Sequence, residues 1–286
     1  MRKKRDSNGP KKEYNSSAVR KFYMGKKMQN QKFERKHKKQ EEDKTKNGVR
    51  LNKYIANAGI CSRRDADELI QKGEVKINNK VVTEMGTRVM PGDKVTFQGK
   101  FIKPEKNVYV LLNKPKDFIT TVDDPRGRKT VMDLVRKACD ERIYPVGRLD
   151  RLTTGVLLLT NDGDLAKKLT HPSHGVKKIY YVKTAENLSN NDLVKLVKGV
   201  ELEDGISKAD EAHFIDDNFD EIGIEIHSGK NRVIRRMFEA IGHRVVKLDR
   251  VSFAGLTKKR IPRGKYRLLS QKEVGMLRMF ISNPDA

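Results

Sequence analysis

Between Val146 and Thr160 the chain runs Val-Gly-Arg-Leu-Asp-Arg-Leu-Thr-Thr-Gly-Val-Leu-Leu-Leu-Thr, and this stretch constrains the fold more than any other. Val156 to Leu159 carries no polar side chain, which predicts a buried strand entered through the Thr-Thr-Gly turn. Asp150 stands at the mouth of that strand, with Arg148 and Arg151 close on either side. A carboxylate there is expected to be exposed on the loop. Neighbouring cations favour its ionised form and keep it available as a nucleophile or a base. A surface ion-pair network would produce the same local pattern.

The chain has 286 residues and a formal net charge of +24. That length accommodates two domains with one sizeable core. So large a positive excess points to a polyanion whose phosphates supply the affinity. No amphipathic stretch combines a basic face with a bulky apolar one, so nucleic acid is favoured over a membrane surface. Cys61 and Cys139 are the only cysteines, which excludes a disulfide framework and a cysteine-rich zinc site. His171 and His174 lie three apart without an acidic cluster, and they read as loop residues with no metal implied. Neither GxGxxG nor GxxxxGK[ST] occurs, so no nucleotide cofactor is expected. The basic start is followed by no apolar signal segment, and no run is long enough to span a membrane. A cytoplasmic location fits best.

Residues 1–48 hold 17 Lys/Arg against 6 Asp/Glu, a net +11. Their apolar residues follow no period, which predicts a disordered basic arm suited to non-specific RNA tethering or simply to solubility. Residues 49–106 form the next segment. Leu51, Tyr54, Ile55 and Ala58 make one helical stripe closed by Gly59. Ser62-Arg63-Arg64-Asp65 predicts a capping box opening a second helix that stops at Gly73. Short strands follow at Val75–Ile77, Val81–Val82 and Val95–Phe97, with turns at Asn78-Asn79 and Pro91-Gly92. Arg63 and Arg64 in a first helical turn oppose the macrodipole, so an anion should compensate them. Residues 107–286 mix the two periodicities. Strands are expected over 108–112, 156–159, 178–183 and 222–226, and helices over 130–137, 162–169, 191–197, 231–241 and 271–280.

Several motifs, in this order, resemble one family. They are Leu112-Asn113-Lys114-Pro115, Asp124-Pro125-Arg126-Gly127-Arg128, Gly147-Arg148-Leu149-Asp150 with Thr153 and Gly155, Thr160-Asn161-Asp162-Gly163, Lys178-Ile179-Tyr180-Tyr181-Val182, and Gly229 to Met237. Together they resemble the RNA pseudouridine synthases, in the branch that acts on single ribosomal RNA uridines. The segment from Val49 to about residue 100 is similar to the S4-like (αL) RNA-binding domain. The resemblance implies an α+β chain: a small S4-like domain, then a pseudouridine synthase catalytic domain with a mixed, largely antiparallel sheet.

It also implies roles. Asp150 would attack the target nucleotide, and Tyr180 would stack on the uracil and is a candidate base. Arg235 would pair with the aspartate, and Arg148 would fill the gap left by the flipped-out base. Lys114, Arg126 and Arg128 would line the RNA cleft, Arg232 and Arg236 would face phosphate, and Arg63 and Arg64 would contact RNA. A core aromatic fits the periodicity of Tyr180 equally well. Val233 stands where the family usually carries Gln. Hydrolysis would want a second acid at a fixed separation, and Asp162 reads instead as a helix cap. The motifs at 124–128, 169–173 and 229–232 look most like the large-subunit branch, so the implied partner is ribosomal RNA or a pre-ribosomal large-subunit particle, met by a monomer. The rivals are a synthase for the small subunit, a non-catalytic ribosome-assembly factor and an RNA N-glycosidase.

Overall fold

The computed structural model describes residues 48–282. Apart from Gly48, the arm expected over residues 1–48 lies outside the described residues. The chain falls into two compact units that divide between Pro104 and Glu105. No helix among the described residues is long and apolar enough to cross a membrane.

The first unit contains β1 (Val49–Arg50), α1 (Leu51–Asn57), α2 (Arg63–Gln71), β2 (Val75–Ile77), β3 (Lys80–Val81), β4 (Arg88–Val89), β5 (Val95–Phe97) and β6 (Lys100–Ile102). Leu51 and Ile55 of α1, with Ala66 and Ile70 of α2, close over Val75, Val89, Val95 and Ile102. The expected capping box is present: the Asp65 amide donates to Ser62 Oγ at 3.3 Å and the Ser62 amide to Asp65 Oδ2 at 3.2 Å. Asp65 thus supplies part of the anion that the first turn of α2 requires. Asn78 and Asn79 both take positive φ in the two-residue β2–β3 hairpin, as a turn matched to strand twist demands. The sheet runs β3-β2-β5-β6, all antiparallel.

The second unit comprises β7 (Tyr109–Lys114), α3 (Val131–Val135), β8 (Tyr144–Pro145), β9 (Thr154–Thr160), α4 (Gly163–Thr170), β10 (Lys178–Thr184), α5 (Asn190–Lys198), β11 (Glu211–Ile215), β12 (Asn218–Ile226), α6 (Val233–Ala240), β13 (Val245–Phe253), β14 (Leu256–Thr257), β15 (Tyr266–Leu268) and α7 (Gln271–Ser282). Its sheet runs β11-β12-β10-β13-β9-β7-β15, with β14 on β13 and β8 on β9. Every pairing is antiparallel except that of β13 with β9. A mixed, largely antiparallel sheet is therefore what forms.

The run Val156–Leu159 is apolar throughout because both faces of β9 are covered. Leu157 and Leu159 join Val110, Leu112, Met237 and Phe238 on one side, while Val156 and Leu158 join Leu111, Leu165, Leu169 and Leu277 on the other. Asp162 caps α4 as expected, accepting from the Leu165 amide at 3.0 Å. The helix expected over 231–241 begins only at Val233, because Arg232 turns into the left-handed region at φ 46°. The central strand β13 was not expected. Its middle carries Lys247, Asp249 and Arg250, which break the apolar signal, yet Asp249 and Arg250 are buried.

Phe238 has no exposed surface and packs with Met237 and Ile234 against the sheet. Phe238→Ala should cost about 3–5 kcal/mol of the second unit's stability, by lost transfer energy plus a cavity. Urea unfolding of the variant beside the parent chain would check this, and a loss below about 1 kcal/mol would show that the site collapses around the hole.

Candidate functional site

Asp150 sits half-buried in the loop that leads from β8 into β9, and this loop borders a cavity of about 490 Å³. Its backbone is fixed from several sides. The Thr153 amide donates to Asp150 O at 3.0 Å, closing a turn, and the Thr120 hydroxyl donates to Leu149 O at 2.7 Å. From the end of β7 the Lys114 ammonium reaches Thr153 O at 2.8 Å, Asp150 O at 3.0 Å, Pro115 O at 3.2 Å and Arg151 O at 3.3 Å. Burial pushes the Lys114 pKa down to about 8, with the Asp150 charge opposing the fall. An ammonium tolerates such burial when polar groups surround it, and here converging carbonyls do so.

A second network grips the start of β9. The buried Asp249 carboxylate accepts from the Thr154 hydroxyl at 2.9 Å and from Arg263 at 3.2 and 3.1 Å, and it pairs with Lys258. Burial raises its pKa, but the bonds from Arg263 and Lys258 outweigh that and hold it below the ordinary value. Arg263 also donates to Asn113 Oδ1 at 2.7 Å and to Lys114 O at 3.3 Å, joining this network to the first. Gly155 makes the close approach possible. A Cβ there would lie 2.1 Å from Arg250 O, and its φ is +108°.

Of the residues expected to act, Asp150, Tyr180, Arg148 and Arg232 border the same cavity. Arg148 and Arg232 are exposed at it, whereas Tyr180 is buried in β10 with only 8% of its surface accessible. Arg235 is also buried, but no ion pair joins it to Asp150 among the described residues. Its Nη1 instead donates to Val245 O at 2.9 Å, tying α6 to β13. Burial and Arg232 lower the Arg235 pKa, while the charge of Asp150 acts in the opposite direction.

Lys114 requires a correction. It was expected to face RNA, yet none of its surface is exposed and its ammonium is spent on backbone carbonyls. Arg236 is likewise engaged, gripping Asp204 with two bonds at 2.9 and 3.0 Å. Arg128 does the same to Asp124 at 2.6 and 3.1 Å, with half of its side chain exposed, and Arg126 is exposed in the same loop. In the first unit Arg63 donates to Asn52 Oδ1 at 3.3 Å and Arg64 is exposed.

The sequence reading missed Lys178 and Arg250, which line the same cavity. Lys178 lies two residues before Tyr180 and so shares its face of β10, a signal that strand alternation offered. Arg250 belongs to the unforeseen strand. Burial and the charge of Arg250 push the Lys178 pKa down to about 8.

Residues 108–240 match the model of the RNA pseudouridylate synthase family, and residues 49–95 that of the S4 domain. The chain is 44% identical over 235 residues to ribosomal large subunit pseudouridine synthase B of Bacillus subtilis, spanning 80% of this chain and 95% of that protein. It is 38% identical over 233 residues to an uncharacterized RNA pseudouridine synthase of Aquifex aeolicus, spanning 80% and 93%. A dual-specificity RNA pseudouridine synthase of Escherichia coli O6:H1 is 36% identical over 242 residues, spanning 82% and 80%. Among solved structures, one of a pseudouridylate synthase superposes with a TM-score of 0.58 at 29% identity, over 80% of this chain and all of that one.

Lys114→Met should leave the carbonyls of the Asp150 loop without their donor, at a cost of about 2–3 kcal/mol in unfolding free energy. RNA affinity and its salt dependence should stay unchanged, since no surface charge is removed. Titration of labelled RNA over a range of salt concentrations checks this; a shallower slope would return Lys114 to the RNA face.

Proposed function

Since the chain belongs to the RNA pseudouridine synthase family and joins an S4 domain to the synthase domain, we propose that it converts single uridines of large-subunit ribosomal RNA to pseudouridine in the cavity around Asp150. One observation carries the reading of the site. Among the residues that line the cavity, Asp150 is the only acid, and six are Lys or Arg. Isomerisation needs one carboxylate and no external nucleophile, whereas hydrolysis of the same bond wants a second carboxyl group as proton donor. The surrounding cations suit a phosphate-bearing substrate.

In this mechanism Asp150 attacks the flipped-out nucleotide, and the Lys114 bonds keep its backbone from shifting as charge moves. Tyr180 presents its ring to the uracil from β10. Arg148, exposed and free to stack, occupies the space the base has left, which offsets part of the few kcal/mol that extrusion costs. Arg235 stands behind the site within range of the Asp150 charge, and Arg232 meets phosphate at the cavity rim. Arg126 and Arg128 add to the RNA surface. Residues 49–106 supply RNA binding through Arg63 and Arg64, and the cations of residues 1–48 tether the chain to RNA without sequence preference. The large-subunit assignment rests on the name of the Bacillus subtilis relative and the motifs shared with that branch.

Asp150→Asn should abolish tritium release from ribosomal RNA labelled at uridine C5 while RNA affinity stays within a few-fold, because the shape is kept and the nucleophilic charge removed. Turnover by a verified homogeneous variant would overturn the role of Asp150. Mapping pseudouridines in ribosomal RNA from a deletion strain identifies the subunit, and a site missing only from the small subunit would refute the assignment.

Removing residues 1–48 should weaken RNA binding and flatten its salt slope without changing the single-turnover rate at saturating protein. Arg64→Ala should reduce the slope by about one charge. Affinity measured against salt concentration for the three proteins decides both points.

A further inference from the structure

Arg250 is 2% exposed, and no carboxylate pairs with it among the described residues. Its Nε donates to Val156 O at 2.8 Å, but its buried Nη2 bonds nothing. A buried donor without a partner costs free energy and calls for an explanation. Lys178 on the same cavity has no carboxylate either; its ammonium donates to His227 O at 2.7 Å, Val176 O at 3.0 Å and Ser228 O at 3.4 Å.

The backbone places Arg250 with care. It is the cross-strand partner of Tyr180 on one side and of Gly155 on the other, so it stands between the tyrosine and the strand that follows Asp150. The register slips by one residue at this point: Ile179 pairs with Ser252 but Tyr180 with Arg250, leaving Val251 unmatched. A slip of this kind re-aims side chains. In a regular strand Arg250 and Phe253, three apart, would lie on opposite faces. Here the guanidinium carbon lies 4.6 Å from the centre of the Phe253 ring, and both residues border the cavity. The glycine at 155 allows the strand carrying this arginine to come close.

We infer that Arg250, with Lys178 on the same wall, is an anion-stabilising site for the pyrimidine itself, donating to a uracil carbonyl oxygen as the base leaves the ribose. This rests on the uridine-isomerase reading. When the C1′–N1 bond breaks, its electron pair stays with the base, giving a uracilate whose charge spreads onto the ring nitrogens and carbonyl oxygens. Asp150 bonds to C1′. After the base turns, C5 bonds to C1′ and the Asp150 carboxylate departs with its electron pair. The C5 proton is then lost and N1 gains one, so no co-reactant is consumed. Phosphates do not need so deep a group, because the exposed Arg232 meets them at the rim. A planar base edge reaches the sheet, where a desolvated guanidinium acts most strongly on developing charge.

The test uses the full chain and ribosomal RNA carrying uridine, 2-thiouridine or 4-thiouridine at the target, under single-turnover conditions. Sulfur is the weaker acceptor, so the parent protein should slow on one of the two thio substrates with RNA affinity unchanged. Arg250→Met should lower the rate on uridine at least about 100-fold, the usual loss for a charge-stabilising donor, and should show no further penalty from that sulfur. A normal parent rate on both thio substrates overturns the proposal without any variant. So does an Arg250→Met protein that keeps its rate, or one whose defect lies in RNA affinity and salt slope, which would assign the arginine to phosphate. Absence of parent turnover on every ribosomal RNA uridine instead overturns the underlying reading and this site with it.

Discussion

Four carbonyl oxygens converge on the Lys114 ammonium, three of them from the loop that carries Asp150, and the geometry of the site follows from that convergence. A loop that bends sharply beside a buried strand turns carbonyls inward, where water cannot solvate them. A compact ammonium with three rotatable donors meets carbonyls arriving from several directions better than a planar guanidinium would. Because Lys114 ends β7 and is itself buried in the sheet, the loop inherits the rigidity of the strands. Asp150 can then stand half-exposed at the cavity while its backbone is as firmly held as that of a core residue.

The charge of the chain overstates how many cations are free to meet RNA. In the segment Gly229 to Met237, Lys230 binds Asp204 O at 2.9 Å and Gly205 O at 3.1 Å, Arg236 grips the Asp204 side chain, and Arg235 holds Val245 O. Arg232 alone of these four is exposed, thrown outward by its left-handed backbone just before α6. The basic motif is thus chiefly a clamp on the 204–207 loop and on β13, with one exposed cation, Arg232, at the cavity.

Much of the architecture was legible because local physics and tertiary packing agreed. The Ser62/Asp65 capping box, the Asn78-Asn79 turn, the Asp162 cap and the apolar strand 156–159 all follow from short-range chemistry that the fold retains. What stayed hidden has a common cause, namely charge that is neutralised from a distance. Asp249 lies in an interior strand because Lys258, Arg263 and Thr154 surround it, and no window of neighbouring residues contains that information. Lys114 misled for the same reason. Read locally it is a cation beside a proline; folded, it is enclosed by carbonyls up to 39 residues away. The cavity residues on the loop before β9 and on β10 were foreseeable from motif and alternation, but Arg250 needed a strand slip that leaves no trace in composition.

The network around Asp249 also orders events in time. Arg263 reaches back across 150 residues to Asn113, and it grips the carboxylate that anchors Thr154 at the start of β9. Until position 263 has been added, a growing chain already contains Asp150, Tyr180 and Arg235 but lacks the support that orients the first of them. Synthesis from the amino end therefore yields the first unit early, whereas the network that holds the start of β9 closes only once Arg263 has emerged.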